Sequence, residues 1–254
     1  MIQYREVIKE SDIFIKTDNR KAIKGAILSI KYHRTQLERY IRQYPRFLKA
    51  LQPIRIPQDV PEIVAIMAEA SELAGVGPMA AVAGALADLG VNQMVKLGAK
   101  VAIIENGGEI AGISNIPINV GIFAGNSPLS GKIGFRFETE DFPMGIGTSS
   151  GTVGHALSFG EADAATILTN NAALGDAAAT AVANEVKGPD IEKSVQLGLE
   201  KAETIEGIRG ALIIRGKFAG IVGKLPQLLK ITGNSWKILT QRYSNVIPPD
   251  FIIL

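Results

Sequence analysis

The chain of 254 residues contains no cysteine and only two histidines, His33 and His155. The absence of cysteine excludes a disulfide, a thiolate nucleophile, iron–sulfur ligation and a protein persulfide within this chain. Two histidines are too few for a histidine-rich zinc site. If the protein binds a metal ion, we therefore expect a cation that prefers oxygen ligands, such as Mg²⁺.

A strong excess of one charge and a clear membrane segment are also missing. The formal net charge is only +2, so no overall field attracts nucleic acid or an anionic membrane. The uncharged stretch from Leu73 to Ala87 is interrupted by Pro78 and is shorter than the roughly 20 apolar residues that span a bilayer. No basic and then apolar signal sequence opens the chain. We therefore expect a cytoplasmic protein with neither a membrane nor a nucleic acid as its partner.

The composition and the order of apolar patterns predict an α+β fold with a mostly antiparallel sheet and packed helices. Apolar residues make up 46% of the chain and charged residues 20%, which is typical of a folded protein, and we expect one domain over residues 1–254. The patterns predict strands at 4–8, 13–15, 26–30, 101–104, 110–113, 120–123, 132–137, 164–168, 211–215, 218–222 and 228–231. They predict helices at about 31–51, 61–73, 79–96, 174–186 and 189–202. Strands grouped in blocks argue against a doubly wound fold.

Turn and cap signals refine these predictions. Asn106-Gly107 and Gly216-Lys217 are predicted hairpin turns, and Asp59 is a predicted N-cap for the helix that begins near Pro61. The segment from Gly145 to Gly154 is predicted to be a loop.

Candidate chemistry is concentrated in two neighbouring segments. Thr148 to His155 reads Thr-Ser-Ser-Gly-Thr-Val-Gly-His, in which backbone N–H groups and hydroxyls could surround a phosphate. Further along, Asp176 and Thr180 are four residues apart, so both side chains lie on one helix face. A carboxylate and a hydroxyl beside a phosphate-binding loop suit a hard cation that carries phosphates.

Each of these features also has a purely structural interpretation. Asp176 and Thr180 could serve helix capping and packing, the glycine- and serine-rich segment could be an ordinary turn, and His155 could be structural. Glu105 and Glu109 could be solvated charges beside the hairpin turn.

Three segments together resemble ApbE-type flavin transferases, which bind FAD and move FMN onto a threonine of a partner protein. They are Val101–Ile110, with its Asn-Gly-Gly turn, the hydroxyl-rich segment, and Leu174–Ala181, which reads Leu-Gly-Asp-Ala-Ala-Ala-Thr-Ala. The resemblance implies the ApbE fold, with Mg²⁺ held by Asp176 and Thr180. It further implies a catalytic role for His155, and flavin contacts from two sets of residues: Gly147, Thr148, Ser149, Ser150 and Gly151, and Asn106, Gly107 and Gly108.

The chain departs from the transferases at two motifs. The family's Ala-Lys-Gly helix corresponds to residues 77–84 here, which contain no lysine. The family's His-x-x-Asp-Pro-x-Thr-Gly segment is reduced to His155-Ala-Leu-Ser-Phe-Gly160. In both respects the chain looks more like a shorter branch of ApbE-like proteins from methanogens and other anaerobes. That branch is linked to the assimilation of sulfide into homocysteine, without an assigned chemical step.

Three functions remain open on the sequence. The first is an ApbE-like protein that binds a phosphorylated small molecule or a flavin nucleotide with Mg²⁺, in sulfur assimilation or cofactor metabolism. The second is an FAD-dependent FMN transferase, and the third is a non-enzymatic partner of a sulfide-incorporating enzyme. The basic, aromatic segment Lys31 to Arg46 is either a solvated helix surface, a docking face for a protein or a second copy, or an RNA-binding face.

Overall fold

The computed structural model of the protein describes residues 1–151 and 160–231 and, for the backbone alone, 251–253. The strands are β1 Ile2–Ile8, β2 Ser11–Thr17, β3 Val101–Asn106, β4 Glu109–Ser114, β5 Ile118–Gly121, β6 Ile133–Phe137, β7 Met144–Ser149, β8 Ala164–Thr169, β9 Gly210–Arg215, β10 Phe218–Gly223, β11 Gln227–Lys230 and β12 Phe251–Ile253. The helices are α1 Arg20–Gln43, α2 Pro45–Lys49, α3 Glu62–Ala74, α4 Val82–Lys96, α5 Ala172–Glu185 and α6 Ile191–Glu203. Short 3₁₀ turns cover Pro78–Ala81 and Thr139–Asp141.

Eight strands form one sheet in the order β1-β2-β3-β4-β7-β8-β9-β10, and every neighbouring pair is antiparallel. A second sheet has the order β11-β6-β5-β12, in which only the β12–β5 pair is parallel. The prediction of an α+β fold with a mostly antiparallel sheet is confirmed.

The large sheet separates two hydrophobic cores because its central strands are apolar on both faces. In β3, Ala102 and Ile104 pack with the helices, whereas Val101 and Ile103 pack against the smaller sheet. The same alternation continues in β8 and β9, as expected when successive side chains of a strand point to opposite faces. The molecule therefore has three layers: helices, the large sheet and the small sheet.

Helix α5 is the centre of the helical layer. It contacts β7 and β8 on the sheet, and it also contacts α3, α4 and α6. Half of its 14 residues are alanine, and ten of the 14 are buried. Such small side chains allow neighbouring backbones to come close, which determines the geometry of the candidate site.

Most of the predicted elements are present, including the β3–β4 and β9–β10 turns. The predicted strand at 26–30 is wrong, because Ala22, Ala26 and Ile30 form the buried stripe of α1 at helical spacing. The predicted N-cap Asp59 is also wrong, since α3 begins after Pro61 without a side-chain cap. The predicted loop at 145–154 begins instead as strand β7, which pairs with β8.

Among the described residues, no single helix has the length and apolar character needed to cross a bilayer. Taken together, α3 and the segment Pro78–Lys96 are long and apolar enough to cross a bilayer, but their axes differ by 106°.

Candidate functional site

The carboxylate of Asp176 lies at the N-terminus of α4 rather than at the start of its own helix. Its Oδ2 accepts the backbone N–H groups of Ala83, at 3.1 Å, and Gly84, at 3.0 Å. These are first-turn N–H groups that have no partner within α4. Asp176 therefore does cap a helix, but that helix is 92 residues away in the sequence.

The capping is reciprocal. Asp88 of α4 accepts the first two N–H groups of α5, from Ala172 to Oδ1 at 2.8 Å and from Ala173 to Oδ2 at 2.9 Å. Asn171, the N-cap of α5, accepts the N–H of Leu174 at 2.9 Å. An aspartate of each helix thus caps the N-terminus of the other helix, and these hydrogen bonds connect the two helices at both N-termini.

Both aspartates are only partly accessible to water, and this partial burial disfavours their charged forms. Burial raises the pKa of Asp176 to about 7, although the hydrogen bonds from Gly84 and Ala83 lower it. Burial likewise raises the pKa of Asp88 to about 6, against the opposing effect of its two backbone hydrogen bonds.

Glu109, at the start of β4, is the third buried acid of this region. Burial is the main cause that raises its pKa well above the usual value, and the negative charges of Asp176 and Glu105 raise it further. Its own N–H and that of Thr148 donate to it and act in the opposite direction. At neutral pH the region around Asp176 therefore favours either protons or a cation.

Glycines allow the sheet and the two helices to meet at backbone distance. A Cβ at Gly147 would lie 2.1 Å from the carbonyl carbon of Gly175, and one at Gly84 would lie 2.1 Å from the carbonyl oxygen of Ala172. Real side chains do not tolerate such distances. The structure thus gives Gly147, a predicted flavin contact, a packing function between β7 and α5.

The remaining predicted phosphate-binding residues form the end of β7 and the chain beyond it. Ser149 pairs with Ala165 of β8, the hydroxyl of Thr148 donates to the hydroxyl of Thr166 at 3.2 Å, and Gly151 donates its N–H to the carbonyl of Ala162 at 2.9 Å. Ser150 lies between them and is partly exposed. The segment is therefore more ordered by backbone pairing than the predicted loop.

The predicted turn Asn106-Gly107-Gly108 lies next to Asp176 through the N-terminus of α4. The side-chain amide of Asn106 donates to the carbonyl of Ala83 at 2.9 Å, the same residue whose N–H binds Asp176. Gly107 and Gly108 both have positive φ, of 71° and 121°. Three of the segments predicted to form one site are thus brought together by tertiary contacts.

The donor set of Asp176 and Thr180 fits a small cation that prefers oxygen. Within the described part of the chain, neither Oδ1 of Asp176 nor the hydroxyl of Thr180 makes a hydrogen bond, so one carboxylate oxygen and one hydroxyl are free on one face of α5. No group of three or more His, Cys, Asp or Glu among the described residues is arranged to hold a metal ion. Mg²⁺ matches such a sparse set, because it usually keeps several waters and takes its other ligands from phosphates.

Two other features of the ApbE resemblance concern His155 and the missing lysine of the Ala-Lys-Gly motif. His155 lies outside the described residues, so its proposed catalytic role stays a prediction. The 3₁₀ turn Pro78–Ala81 and the start of α4 carry no lysine where the transferases have Ala-Lys-Gly. The first turn of α4 instead offers its N–H groups to Asp176.

Comparison with known proteins identifies the family. Residues 3–204 match the protein family described as AbpE bacteria. The chain belongs to this family. It is 46% identical over 226 residues to the UPF0280 protein of Methanococcus vannielii, covering 88% of this chain and 91% of the relative. It is 44% identical over 228 residues to the UPF0280 protein of Methanocaldococcus jannaschii, covering 89% of this chain and 92% of the relative.

Solved structures confirm the ApbE fold. The ApbE protein of Thermotoga maritima superposes with a TM-score of 0.53 at 13% identity, covering 93% of this chain and 98% of that protein. A variant of the flavin transferase ApbE from Vibrio cholerae gives a TM-score of 0.51 at 13% identity, covering 87% of this chain and 96% of that protein. The family match and the relatives from methanogens confirm the predicted kinship with ApbE-like proteins.

Two acids of the site in this ApbE-like protein were not identified as buried from the sequence. Asp88 is the one charged residue between Glu72 and Lys96, and an acid isolated in an alanine-rich helix is a usable signal of a buried partner. From the sequence, Glu109 was interpreted as a solvated charge beside the hairpin turn or, through the resemblance to ApbE, as a residue near the flavin. Its burial against Asp176 depends on the close packing of β4, β7 and α5, which no local pattern indicates.

Proposed function

We propose that this protein binds a phosphorylated small molecule, with a flavin nucleotide as the first candidate, together with Mg²⁺ held by Asp176 and Thr180. The observation that carries the proposal is that Oδ1 of Asp176 and the hydroxyl of Thr180, four residues apart on α5, make no hydrogen bond to the described residues. They belong to the part of α5 that meets β7 and the N-terminus of α4. The name of the structural relative from Vibrio cholerae, a flavin transferase, supports the choice of ligand. Mg²⁺ would neutralise phosphate charge there and assist group transfer.

The protein groups have separable functions in this proposal. Two backbone N–H groups at the N-terminus of α4 bind Oδ2 of Asp176. These hydrogen bonds fix the orientation of the whole carboxylate and therefore the direction of Oδ1. Asn106 holds the same turn from the sheet side. Ser150 follows the paired part of β7 and would contribute its hydroxyl to the phosphates, whereas the N–H of Gly151 already binds the carbonyl of Ala162.

The test is equilibrium binding of FAD and of FMN to the purified protein, with Mg²⁺ and with a chelator. We expect binding that requires Mg²⁺ and that falls by at least about 100-fold in Asp176→Ala, because a charged metal ligand is lost. Asp88→Ala is the matched control, since it removes an equivalent helix cap but no metal ligand. Binding that survives both chelation and Asp176→Ala contradicts the proposal.

FMN transfer is the second candidate, and the ApbE fold favours it. The test is incubation with FAD, Mg²⁺ and a threonine-bearing acceptor domain, followed by mass spectrometry of the acceptor. Attachment of FMN supports transfer; binding of FAD without attachment restricts the protein to the first proposal.

The biological setting proposed here is anaerobic sulfur assimilation, in which sulfide becomes homocysteine, or cofactor metabolism. The chain contains no cysteine, so any sulfur carrier or thiolate step belongs to another protein. A non-enzymatic role as partner of a sulfide-incorporating enzyme is the alternative. A stable complex with such an enzyme, without any ligand turnover, supports that alternative.

A further inference from the structure

A second cleft opens between α3 and α4, beside the first turn of α5. It has a volume of about 420 Å³, and it contains none of the residues assigned above to Mg²⁺ or to the phosphorylated ligand. Asp88, which borders it, lies four residues beyond Gly84, just over one helical turn along α4. We call this space the α3–α4 cleft.

The floor of the α3–α4 cleft is apolar and firmly packed. Val91, Met144 and Leu174 line it, and these side chains are at most 5% exposed. On one side Leu73, which is 40% exposed, extends the apolar surface towards the solvent. Such a floor accommodates a hydrocarbon or aromatic group of small-molecule size, because pockets of about 300–1000 Å³ are typical of ligand sites.

The charged side chains that line the cleft are both acidic. Glu69 of α3 and Asp88 of α4 are acidic, and Asn92, Asn170 and Asn171 contribute amides around the rim. Among the residues that the structure describes, no lysine, arginine or histidine lines it. Asp88 already accepts two backbone N–H groups, so a cation would complete the environment of a carboxylate that burial makes reluctant to ionise.

The same charges disfavour the ligand of the other site. A phosphate in the cleft would meet two carboxylates and no countercharge, whereas an ammonium group would be attracted by both. We propose that the α3–α4 cleft is a binding site for a small organic cation with an apolar body, such as an arylalkylamine, separate from the site of the phosphorylated ligand.

The probe is 2-phenylethylamine, compared with 2-phenylethanol and phenylacetate, in isothermal titration calorimetry and saturation-transfer NMR with the full chain. The amine should bind saturably, the alcohol at least about tenfold more weakly, and the carboxylate not measurably. Failure of the amine to saturate in the millimolar range overturns the proposal. Equal binding of the amine and the alcohol overturns it as well, since the cleft would then select only apolar surface.

Variants at the exposed edge of the cleft test the location without disturbing the helix caps. Glu69→Gln should weaken the amine about two- to fivefold, which is the usual worth of a partly exposed ion pair. Asn92→Asp adds a third acid and should tighten binding by a similar factor. Glu72→Gln, on the same helix but not lining the cleft, is the matched control. Unchanged affinity in both cleft variants places the amine elsewhere and refutes the proposal.

Discussion

The N-termini of α4 and α5 are each capped by an aspartate from the other helix. The two caps differ in how many carboxylate oxygens they use. Asp88 accepts N–H groups of α5 with both carboxylate oxygens, whereas Asp176 accepts two N–H groups of α4 with Oδ2 alone. Oδ1 of Asp176 and the hydroxyl of Thr180, four residues further along α5, make no hydrogen bond to the described residues. One aspartate thus uses both of its oxygens to cap a helix, whereas the other caps a helix with one oxygen and keeps its second oxygen without a hydrogen bond to the described residues.

The difference shows how a functional group can be placed precisely in a core of small residues. A metal-binding carboxylate needs a fixed orientation, and backbone N–H groups of a neighbouring helix provide it without additional side chains. The requirement is that the helices approach closely, which Gly84 permits at α4 and Gly147 permits at β7. The glycine-rich composition therefore acts through packing as much as through any contact with a ligand.

Gly84→Ala should have the largest effect, because it breaks both caps at once. The new methyl would lie 2.1 Å from the carbonyl oxygen of Ala172, so α4 and α5 must move apart. We expect a loss of about 4 kcal/mol in the free energy of unfolding, from overpacking and from the disturbed hydrogen bonds. Urea denaturation followed by circular dichroism measures it.

Gly25→Ala is the control for this prediction. Its methyl would meet only the end of the Leu97 side chain, which is 42% exposed and free to move, and alanine favours the helix. A Gly84→Ala protein as stable as Gly25→Ala would show that the two helices are not held at this distance.

Asp88→Ala and Asp176→Ala should separate the two functions of the caps. Each leaves two N–H groups of a helix without their acceptor, at a cost of about 2–3 kcal/mol in the free energy of unfolding. Only Asp176→Ala should also abolish the stabilisation that Mg²⁺ with a flavin nucleotide gives to the folded protein. Thermal denaturation with and without these ligands measures both quantities, and equal ligand responses in the two variants would remove the distinction.

Stability should fall as the pH rises from about 4 to 6 through the titration of Asp88. Its pKa is raised from 3.8 to about 6 in the folded protein, so the folded state binds more protons than the unfolded chain in this range. A shift of roughly two units corresponds to about 3 kcal/mol that is present below pH 4 and is lost as the carboxyl ionises. The raised pKa of Asp176 likewise makes the stability of the folded protein fall as the pH rises, up to about pH 7.

The measurement compares the wild type with Asp88→Asn, which cannot titrate, by urea denaturation between pH 4 and 8. The stability of the wild type relative to Asp88→Asn should fall by about 3 kcal/mol as the pH rises, because only the wild type has to ionise a partly buried acid. A difference that is constant over this range would mean that Asp88 stays ionised throughout.

Thr180→Val should have the smallest effect on stability. Its hydroxyl makes no hydrogen bond to the described residues, so we expect a change of less than about 0.5 kcal/mol in the free energy of unfolding. The apparent affinity for Mg²⁺ in the presence of the nucleotide should nevertheless fall about tenfold, as one ligand oxygen is lost. Thr204→Val, at the end of α6, is the control and should leave the Mg²⁺ affinity unchanged.

By itself, the sequence determined the local elements and the candidate residues. The continuous apolar runs of β3, β8 and β9, the turn at Asn106-Gly107 and the spacing of Asp176 and Thr180 depend on neighbours within a few residues, so they can be read from the chain. The same local patterns led to the wrong strand at 26–30, because a short apolar run suits a buried helix as well as a strand.

Only the tertiary structure decided what the candidate residues contact. Asp176 meets its partners across 92 and 93 residues of sequence, and Asp88 meets its own across 84 and 85. Gly147 packs against α5 through a close approach that requires both backbones to be in place. Such contacts, and the buried environment that raises the pKa of these acids, arise from the packing of distant segments, and no spacing within one segment encodes them.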